Sequence, residues 1–257
     1  MKDLALQKFK QLLVIMDELR EKCPWDMKQT FKSIRHLTIE EVYELSDSIL
    51  DKDYDNIKSE LGDILLHIVF YAKIGSEMNR FSIEDVLDSI NKKLIERHPH
   101  VFGNTNVKDE EEVKENWEKI KSCKGKKSVL DGVPIGLPSI IKAYRIQEKA
   151  KGIGFEWDTK EQVWDKVVEE IQELKNSEKN LSHEKIEEEF GDVLFALINY
   201  GRFLNINADD ALEKTNRKFI KRFHKMEKLA GKKKINFNEL SLAEMDEMWN
   251  KVKKNER

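Results

Sequence analysis

The length and composition of the chain limit the classes of protein that it can represent. Its 257 residues suffice for two domains of modest size or one large domain, and 4 prolines and 11 glycines are few for a turn-rich sandwich or barrel. The 46 basic and 49 acidic residues nearly balance, which argues against binding to long nucleic acid. The chain has only two cysteines, far apart in sequence, which predicts a cytoplasmic protein. It has no apolar run of about 18 residues, so we predict that it does not enter a membrane.

Amphipathic segments follow one another along the chain and predict an all-α fold. Apolar residues recur with the i, i+3, i+4, i+7 rhythm of a helix with one buried stripe, and no segment alternates as a strand does. The predicted helical segments are 4–20, 38–50, 61–72, 83–97, 161–175, 190–198 and 208–229. Glycine and proline concentrate between the halves, so we predict an N-terminal domain at 1–122, a linker at 123–136 and a C-terminal domain at 137–257.

The two halves of the chain repeat each other, which predicts two tandem helical repeats. Trp25 corresponds to Trp157, and the stretch NKKLIER at 91–97 corresponds to NRKFIKR at 216–222. A single pair of long helices cannot cover its own apolar stripes. Each repeat should therefore contribute to a unit that resembles a four-helix bundle, formed either between the repeats or between chains.

Each half carries the acidic pattern E-x-x-E followed, on the next predicted helix, by E-x-x-D. The residues of this pattern are Glu41, Glu44, Glu60 and Asp63 in the first half and Glu170, Glu173, Glu189 and Asp192 in the second. Residues three apart share a helix face, and helices joined by a short loop pack antiparallel, so four carboxylates should converge. Such a cluster needs a counter-charge, and oxygen ligands favour Mg²⁺, or Mn²⁺ in its place, over Zn²⁺. Gly62 and Gly191, inside these helices, would permit close approach of a backbone or ligand.

These motifs resemble those of the all-alpha NTP pyrophosphohydrolases. The segments CPWDMKQTF, ERHPHVFG, LPSIIKAYRIQEKA and GIGFEWD are similar to the MazG family in particular, and the resemblance extends over nearly the whole chain. It implies an enzyme that hydrolyses a broad range of nucleoside and deoxynucleoside triphosphates to NMP and diphosphate with Mg²⁺. It also implies a homodimer that serves in nucleotide-pool housekeeping or in a stress response.

The resemblance implies roles for particular residues as well. In the second repeat it makes Glu170, Glu173, Glu189 and Asp192 the catalytic metal ligands and Lys166, Glu169, Lys218, Arg222 and Trp249 the nucleotide contacts. Lys218 and Arg222 lie one helical turn apart, so both can reach a triphosphate, and Trp249 would stack on the base or sugar. The corresponding ligands of the first repeat are Glu41, Glu44, Glu60 and Asp63, with Lys93 and Arg97 as phosphate contacts and Trp117 matching Trp249. The family associates hydrolysis with the second repeat, and the role of the first stays open.

The resulting hypothesis is metal-assisted hydrolysis between the α and β phosphates. Mg²⁺ would neutralise phosphate oxygens and activate a water for attack on the α-phosphorus, and Glu173 or Glu170 would orient or deprotonate that water. Two other interpretations remain open. A di-iron carboxylate bundle would need E-x-x-H pairs, which neither repeat has. In a non-enzymatic helical scaffold or regulatory protein the acidic faces would serve only solubility, Lys218 and Arg222 would be surface charges, and Trp249 would be a core residue.

Overall fold

The computed structural model describes residues 2–109, 112–113, 116, 128–180, 182–232 and 236–255, and all regular secondary structure in these ranges is helical. The predicted all-α class is therefore confirmed. The chain forms two compact units, Met1–Lys108 and Asp109–Arg257, and each contains one of the two acidic helix pairs. In the described part of the chain no helix is both long enough and apolar enough to cross a membrane.

Unit 1 is built around a closely packed helix pair. Its helices are α1 (Lys2–Lys22), α2 (Arg35–Asp51), α3 (Tyr54–Glu77), α4 (Ile83–Arg97) and the short α5 (Pro99–Phe102), with a 3-10 turn at Asp26–Lys28. At the start of α3 the Asp53 side chain accepts a hydrogen bond from the backbone N–H of Asn56, and Ser82 and Asp85 form a capping box on α4. Within this unit α2 and α3 pack against each other most extensively, which brings the first acidic pattern together.

Unit 2 repeats the helix pair. Its helices are α6 (Ser139–Lys151), α7 (Lys160–Asn180), α8 (His183–Phe203), α9 (Ala208–Lys232) and α10 (Leu242–Lys254), with a 3-10 turn at Phe237–Glu239. The pair α7 and α8 corresponds to α2 and α3, and it is the most extensive helix contact of this unit. Helix α6 packs against α8, while α10 packs against α9 and begins at a capping box formed by Ser241 and Glu244.

Every predicted helical segment lies within an observed helix. The prediction at 83–97 coincides with α4, whose start is marked by the Ser82 cap. Helices α3 and α8 extend well beyond the apolar stretches 61–72 and 190–198, because polar residues continue the helix at both ends of each stretch. Helices α6 and α10 lie outside the predicted segments.

The predicted linker at 123–136 falls partly on described residues. Residues 128–136 form turns and bends without a helix, while 123–127 lie outside the described residues. The division between the compact units falls between Lys108 and Asp109, ahead of that linker. The domain bounds 1–122 and 137–257 therefore remain a prediction.

Each unit has an apolar core of its own. In unit 1 the buried core side chains are Met16, Ile34, Val69, Phe70 and Ile74. In unit 2 a buried cluster of Met226, Ala230, Met248 and Val252 joins α9 to α10. Partly buried ion pairs support both units: Arg20 Nε of α1 lies 3.1 Å from Glu77 Oε1 of α3, and the Arg202 guanidinium of α8 lies 2.6 Å from Glu156 Oε2.

The apolar stripes of the helix pairs are only partly covered within their own units. The buried members of the stripes are Val69 and Ala72 on α3, and Val193 and Ile198 on α8. The uncovered members, all at least 39% exposed, are Leu61, Leu65 and Ile68 on α3 and, at the equivalent positions, Phe190, Leu194 and Leu197 on α8. Part of each stripe thus stays open within its own unit, as expected if a single helix pair cannot cover its own stripes. The reason is geometric, because a helix covered on one side leaves the rest of a wide stripe open.

Two candidate metal centres on equivalent helix pairs

The first candidate centre lies where α2 and α3 pack together. One carboxylate oxygen from each of Glu41, Glu60 and Asp63 lies within 4.8 Å of the other two, and all three residues are half-buried. The i, i+3 spacing of Glu60 and Asp63 places both on the same face of α3, towards Glu41 of α2. Glu44, the fourth predicted member, is exposed and falls outside this group. Three of the four predicted carboxylates therefore meet here.

The carboxylates of this first cluster repel one another. Burial raises the pKa of Glu41, and the negative charges of Asp63, Glu44 and Glu60 raise it further. A side-chain hydrogen bond with Glu60 acts in the same direction. Like charges that share a site in this way favour proton uptake or the entry of a cation.

The second candidate centre occupies the equivalent place between α7 and α8. Here the oxygens that lie within 4.8 Å of one another belong to Glu170, Glu173 and Glu189. Glu170 is buried, Glu189 is half-buried and Glu173 is exposed at the edge of the cluster. Asp192 lies one helical turn after Glu189, is exposed, and is outside this group. The second cluster thus gathers a different set of three from the same four-residue pattern.

A lysine lies against the second cluster. Lys166 Nζ is 2.7 Å from Glu170 Oε1 and 3.0 Å from Glu169 Oε1, and the Glu170 side chain is only 10% exposed. The hydrogen bonds from these two glutamates raise the pKa of Lys166 well above its usual range, so it remains protonated. Loss of hydration and the Glu170 charge raise the pKa of Glu173, while Lys166 opposes that rise. The sequence predicted Lys166 and Glu169 as nucleotide contacts but did not reveal that they pair within the chain.

The predicted phosphate and base contacts of the second repeat lie on α9 and α10. Lys218 is exposed, whereas Arg222 is half-buried and its guanidinium carbon lies 5.6 Å from the centre of the Trp249 ring. Trp249 is also half-buried and packs against Phe219, with ring centres 5.0 Å apart. A planar guanidinium held over an indole is a favourable cation–π arrangement. Arg222 and Trp249 therefore contact each other, beside Phe219.

The corresponding residues of the first repeat are less fully described. Lys93 is exposed and Arg97 is half-buried near the end of α4. Trp117, the counterpart of Trp249, lies outside the described residues. Gly62 and Gly191 are open positions, because a Cβ at either would meet no described heavy atom within 4 Å. Close packing within the unit therefore does not require these glycines, and the space beside them is available to a ligand or a second chain.

The fold and the two clusters define a class of protein: a duplicated all-helical chain with a carboxylate-lined candidate metal centre on each helix pair. Oxygen donors from three carboxylates suit a hard divalent cation such as Mg²⁺ or Mn²⁺. A family model described as the MazG nucleotide pyrophosphohydrolase domain matches residues 29–102 and 158–226. These two matches contain both clusters. The chain belongs to the MazG family.

Relatives of known name match almost the whole chain. A protein of Thermotoga maritima named nucleoside triphosphate pyrophosphohydrolase/pyrophosphatase MazG is 44% identical over 250 residues, which cover 95% of each chain. A nucleoside triphosphate pyrophosphohydrolase of Escherichia coli K12 is 40% identical over 255 residues, or 96% of this chain and 97% of its own length. The uncharacterized protein YabN of Bacillus subtilis is 41% identical over 99% of this chain, which is 53% of YabN.

Proposed function

We propose that this chain is a nucleoside triphosphate pyrophosphohydrolase that converts NTP and water to NMP and diphosphate, with its main site in the second repeat. The observation that carries the proposal is the convergence of oxygens from Glu170, Glu173 and Glu189 within the segment matched by the MazG domain. The names of the relatives from Thermotoga maritima and Escherichia coli support the same reaction. A scaffold would have no need for matching carboxylate clusters at equivalent positions of two repeats.

The donor atoms of the second repeat fit a magnesium ion. Mg²⁺ binds oxygen at about 2.0–2.1 Å in an octahedron, so neighbouring ligand atoms lie about 3 Å apart and opposite ones about 4 Å apart. The three carboxylate oxygens lie within 4.8 Å of one another, which is close to the spacing of Mg²⁺ ligands. Glu170, Glu173 and Glu189 would hold the ion, with Asp192, one turn after Glu189, as the proposed fourth ligand. The ion would supply positive charge for the phosphates and acidify a water. Mn²⁺, with the same preference for oxygen, should substitute.

The protein's own side chains would bind the substrate and handle the proton. Arg222 offers a planar fork for phosphate oxygens, and Lys218, one turn earlier, offers a point charge. Lys166 and Glu169 lie beside the carboxylates and complete the proposed nucleotide contacts. Glu173 is the proposed base of the cluster, because it lies at the exposed edge, where water can reach it. One of its carboxylate oxygens would accept the proton of the water that attacks the α-phosphorus.

The first repeat would hold a second cation without carrying the main activity. Glu41, Glu60 and Asp63 form the proposed ligand group, with Glu44 as a further ligand. Lys93 and Arg97 would be phosphate contacts there. We assign the main activity to the second repeat because the resemblance to the family associates hydrolysis with that repeat, and there Arg222 lies beside Trp249 for phosphate and base.

Broad nucleotide specificity is part of the proposal. Stacking on an indole tolerates any base, because every base has a π face. Trp249 therefore favours an enzyme that accepts many ribo- and deoxyribonucleoside triphosphates. Such an enzyme suits the housekeeping of a nucleotide pool, or its reduction under stress. The low cysteine content fits a cytoplasmic location.

We also propose a homodimer. The exposed apolar positions of α3 and of α8 are equivalent in the two repeats, as expected if each is covered in the same way by a second helix pair. Val168 on α7 and Ile39 on α2, again equivalent, are exposed by 50% and 42%. Burying a side chain of this size contributes about 1.5–3 kcal/mol. A second copy that presents the same face would complete the four-helix arrangement.

Product analysis tests the proposed reaction. The purified full-length chain would be incubated with Mg²⁺ and a panel of NTPs and dNTPs, and the nucleotides and phosphates would be resolved by phosphorus NMR. We expect NMP and diphosphate, loss of activity with EDTA, and recovery with Mg²⁺ or Mn²⁺. Formation of NDP and orthophosphate, or no turnover, would contradict the proposal.

A second test separates the enzyme from a scaffold. Magnesium plus a non-hydrolysable nucleotide should raise the melting temperature of the wild-type chain, since a ligand that binds only the folded state stabilises it. Glu170→Gln and Glu189→Gln should each reduce that rise to what the first repeat alone supports, whereas Glu187→Gln, an exposed neighbour on α8, should leave it unchanged. An unchanged rise in all three variants would favour the scaffold.

A further inference from the structure

The second carboxylate cluster already contains a positive charge from the chain itself. The ammonium of Lys166 lies 2.7 Å from an oxygen of Glu170, the most buried member of the group, and 3.0 Å from an oxygen of Glu169. A divalent cation that uses the same Glu170 oxygen must displace this ammonium or share the oxygen with it. The cost of that displacement depends on how well the ammonium is rehydrated. The Lys166 side chain is 37% exposed, so water can compensate in part.

The first cluster provides a matched comparison without such a charge. The position equivalent to Lys166 is Leu37, which precedes Glu41 by one helical turn as Lys166 precedes Glu170. Leu37 packs against the core of unit 1 and can offer nothing but an apolar side chain to the carboxylates. The two repeats thus differ at the position one helical turn before the first glutamate of each cluster.

We propose that Lys166 is an internal counter-ion that competes with divalent cations for Glu170, so that the second cluster binds a free divalent cation more weakly than the first. This inference rests on the proposed metal-dependent function. Its consequence concerns the order of assembly at the main site. A phosphate that accepts the Lys166 ammonium releases Glu170 for the cation, so nucleotide and cation bind there with positive coupling. The first cluster, with Leu37, lacks this coupling.

The test measures Mn²⁺ binding to the full-length chain by the electron paramagnetic resonance signal of the free ion. A Glu41→Gln/Glu60→Gln background removes two ligands of the first cluster and leaves the second intact. In that background Lys166→Met removes the charge and retains most of the aliphatic length. The control is Lys160→Met on the same helix, because Lys160 is 60% exposed and pairs with Glu161 at 3.8 Å, away from the cluster.

We expect Lys166→Met to lower the Mn²⁺ dissociation constant about tenfold and Lys160→Met to change it less than twofold, as exposed charges interact weakly. The reciprocal change is Leu37→Lys in a Glu170→Gln/Glu189→Gln background. It should weaken Mn²⁺ binding to the first cluster by a similar factor, with Leu37→Met as the control for lost packing. If Leu37→Lys does not fold, the Lys166→Met comparison alone decides.

Steady-state kinetics give a second readout. In the otherwise wild-type chain, Lys166→Met should lower the Mg²⁺ concentration for half-maximal rate and raise the KM for nucleotide. A lysine with only a structural role would not move these two constants in opposite directions.

The outcomes separate the inference from the proposed function. Equal Mn²⁺ affinity in the presence and absence of Lys166 would overturn the inference and leave the metal site standing. Absence of Mn²⁺ binding in every variant, including Lys166→Met, would overturn the proposed metal-dependent function instead.

Discussion

The two acidic clusters of this protein share their helices and their spacing, yet different carboxylates meet in each. In the first repeat Asp63 joins the group and Glu44 does not, whereas in the second Glu173 joins and Asp192 does not. Both clusters use the first glutamate of each pair, Glu41 with Glu60 and Glu170 with Glu189. The duplicated pattern therefore provides a common core of two glutamates and a third member that varies.

The surroundings of the clusters differ as well. Leu37 precedes Glu41 of the first cluster by one helical turn and is part of the apolar packing of unit 1, while Lys166 pairs with Glu170 of the second cluster. A cluster without an internal cation suits tight, permanent binding of a metal ion. A cluster that holds its own ammonium suits a site where metal and phosphates enter together. Under our proposal, the two repeats share two glutamates and differ in the residue one helical turn before the first of them.

The largest expected effect is on turnover. Glu170→Gln should lower kcat/KM at least about 100-fold, because it would remove a buried ligand of the proposed cation, which would neutralise the phosphates. The equivalent Glu41→Gln should lower it less than about threefold if the first site is not the main one. Diphosphate release at saturating Mg²⁺ measures both. Equal losses in the two variants would show that the repeats contribute equally and would remove the distinction drawn here.

The next effect is on assembly. Leu65→Asp and Leu194→Asp each place a charge on the exposed stripe of one repeat, and the double variant should be monomeric where the wild-type chain is dimeric. Light scattering after size-exclusion chromatography measures the mass. A larger effect of one single variant would identify the repeat that carries most of the interface. A wild-type chain that is monomeric throughout would refute the proposed dimer.

A smaller effect concerns phosphate binding. Arg222→Lys keeps the charge but loses the planar fork and the stacking on Trp249, so the KM for NTP should rise about tenfold. The equivalent Arg97→Lys on α4 should leave the KM within about twofold. A similar rise in both variants would place the first repeat in substrate binding. An unchanged KM in both variants would indicate that Arg222 only packs against Trp249 and does not bind phosphate.

The smallest effect is on stability as a function of pH. Because burial and the charges of Asp63, Glu44 and Glu60 raise the pKa of Glu41 in the folded chain, the folded chain binds more protons than the unfolded chain where this carboxyl titrates. Stability without metal should therefore fall as pH rises above the usual titration range of a glutamate, by roughly 1 kcal/mol or less. Glu41→Gln should reduce this slope, and Glu40→Gln, its exposed neighbour, should retain it. Thermal unfolding in EDTA provides the measurement, and an unchanged slope in Glu41→Gln would contradict the account.

Much of the fold could be predicted from the sequence because local signals agree with it. The prediction for α4 matched in full, since Ser82 and Asp85 mark its start and apolar periodicity defines its length. The wide apolar stripes predicted helix pairs correctly but did not show which half of each stripe is covered. Which half is covered depends on the side from which a neighbouring helix packs, and this is set by the three-dimensional packing of each unit.

The sites were predictable as patterns and less so as geometry. The i, i+3 rule placed each acidic pair on one face, but the rotation of each helix decides whether the first or the second residue turns inward. Asp192 and Glu44 are therefore absent from the groups although their positions fit the motif. Lys166 could be read as a nucleotide contact from the family resemblance. The pairing of Lys166 with Glu170 could have been predicted from their i, i+4 spacing on α7. The equivalent position in the first repeat is Leu37, which cannot form such a pair.

The most direct test of the central claim is to locate a cation in the second cluster. Crystals of the full-length chain grown with Mn²⁺ and a non-hydrolysable NTP analogue would provide an anomalous difference map. The account predicts an Mn²⁺ peak bound by Glu170, Glu173 and Glu189, shared with the phosphates of the analogue, and Lys166 turned from Glu170 to a phosphate oxygen. A bound analogue with no peak at these carboxylates, and with Lys166 still paired to Glu170, would contradict it.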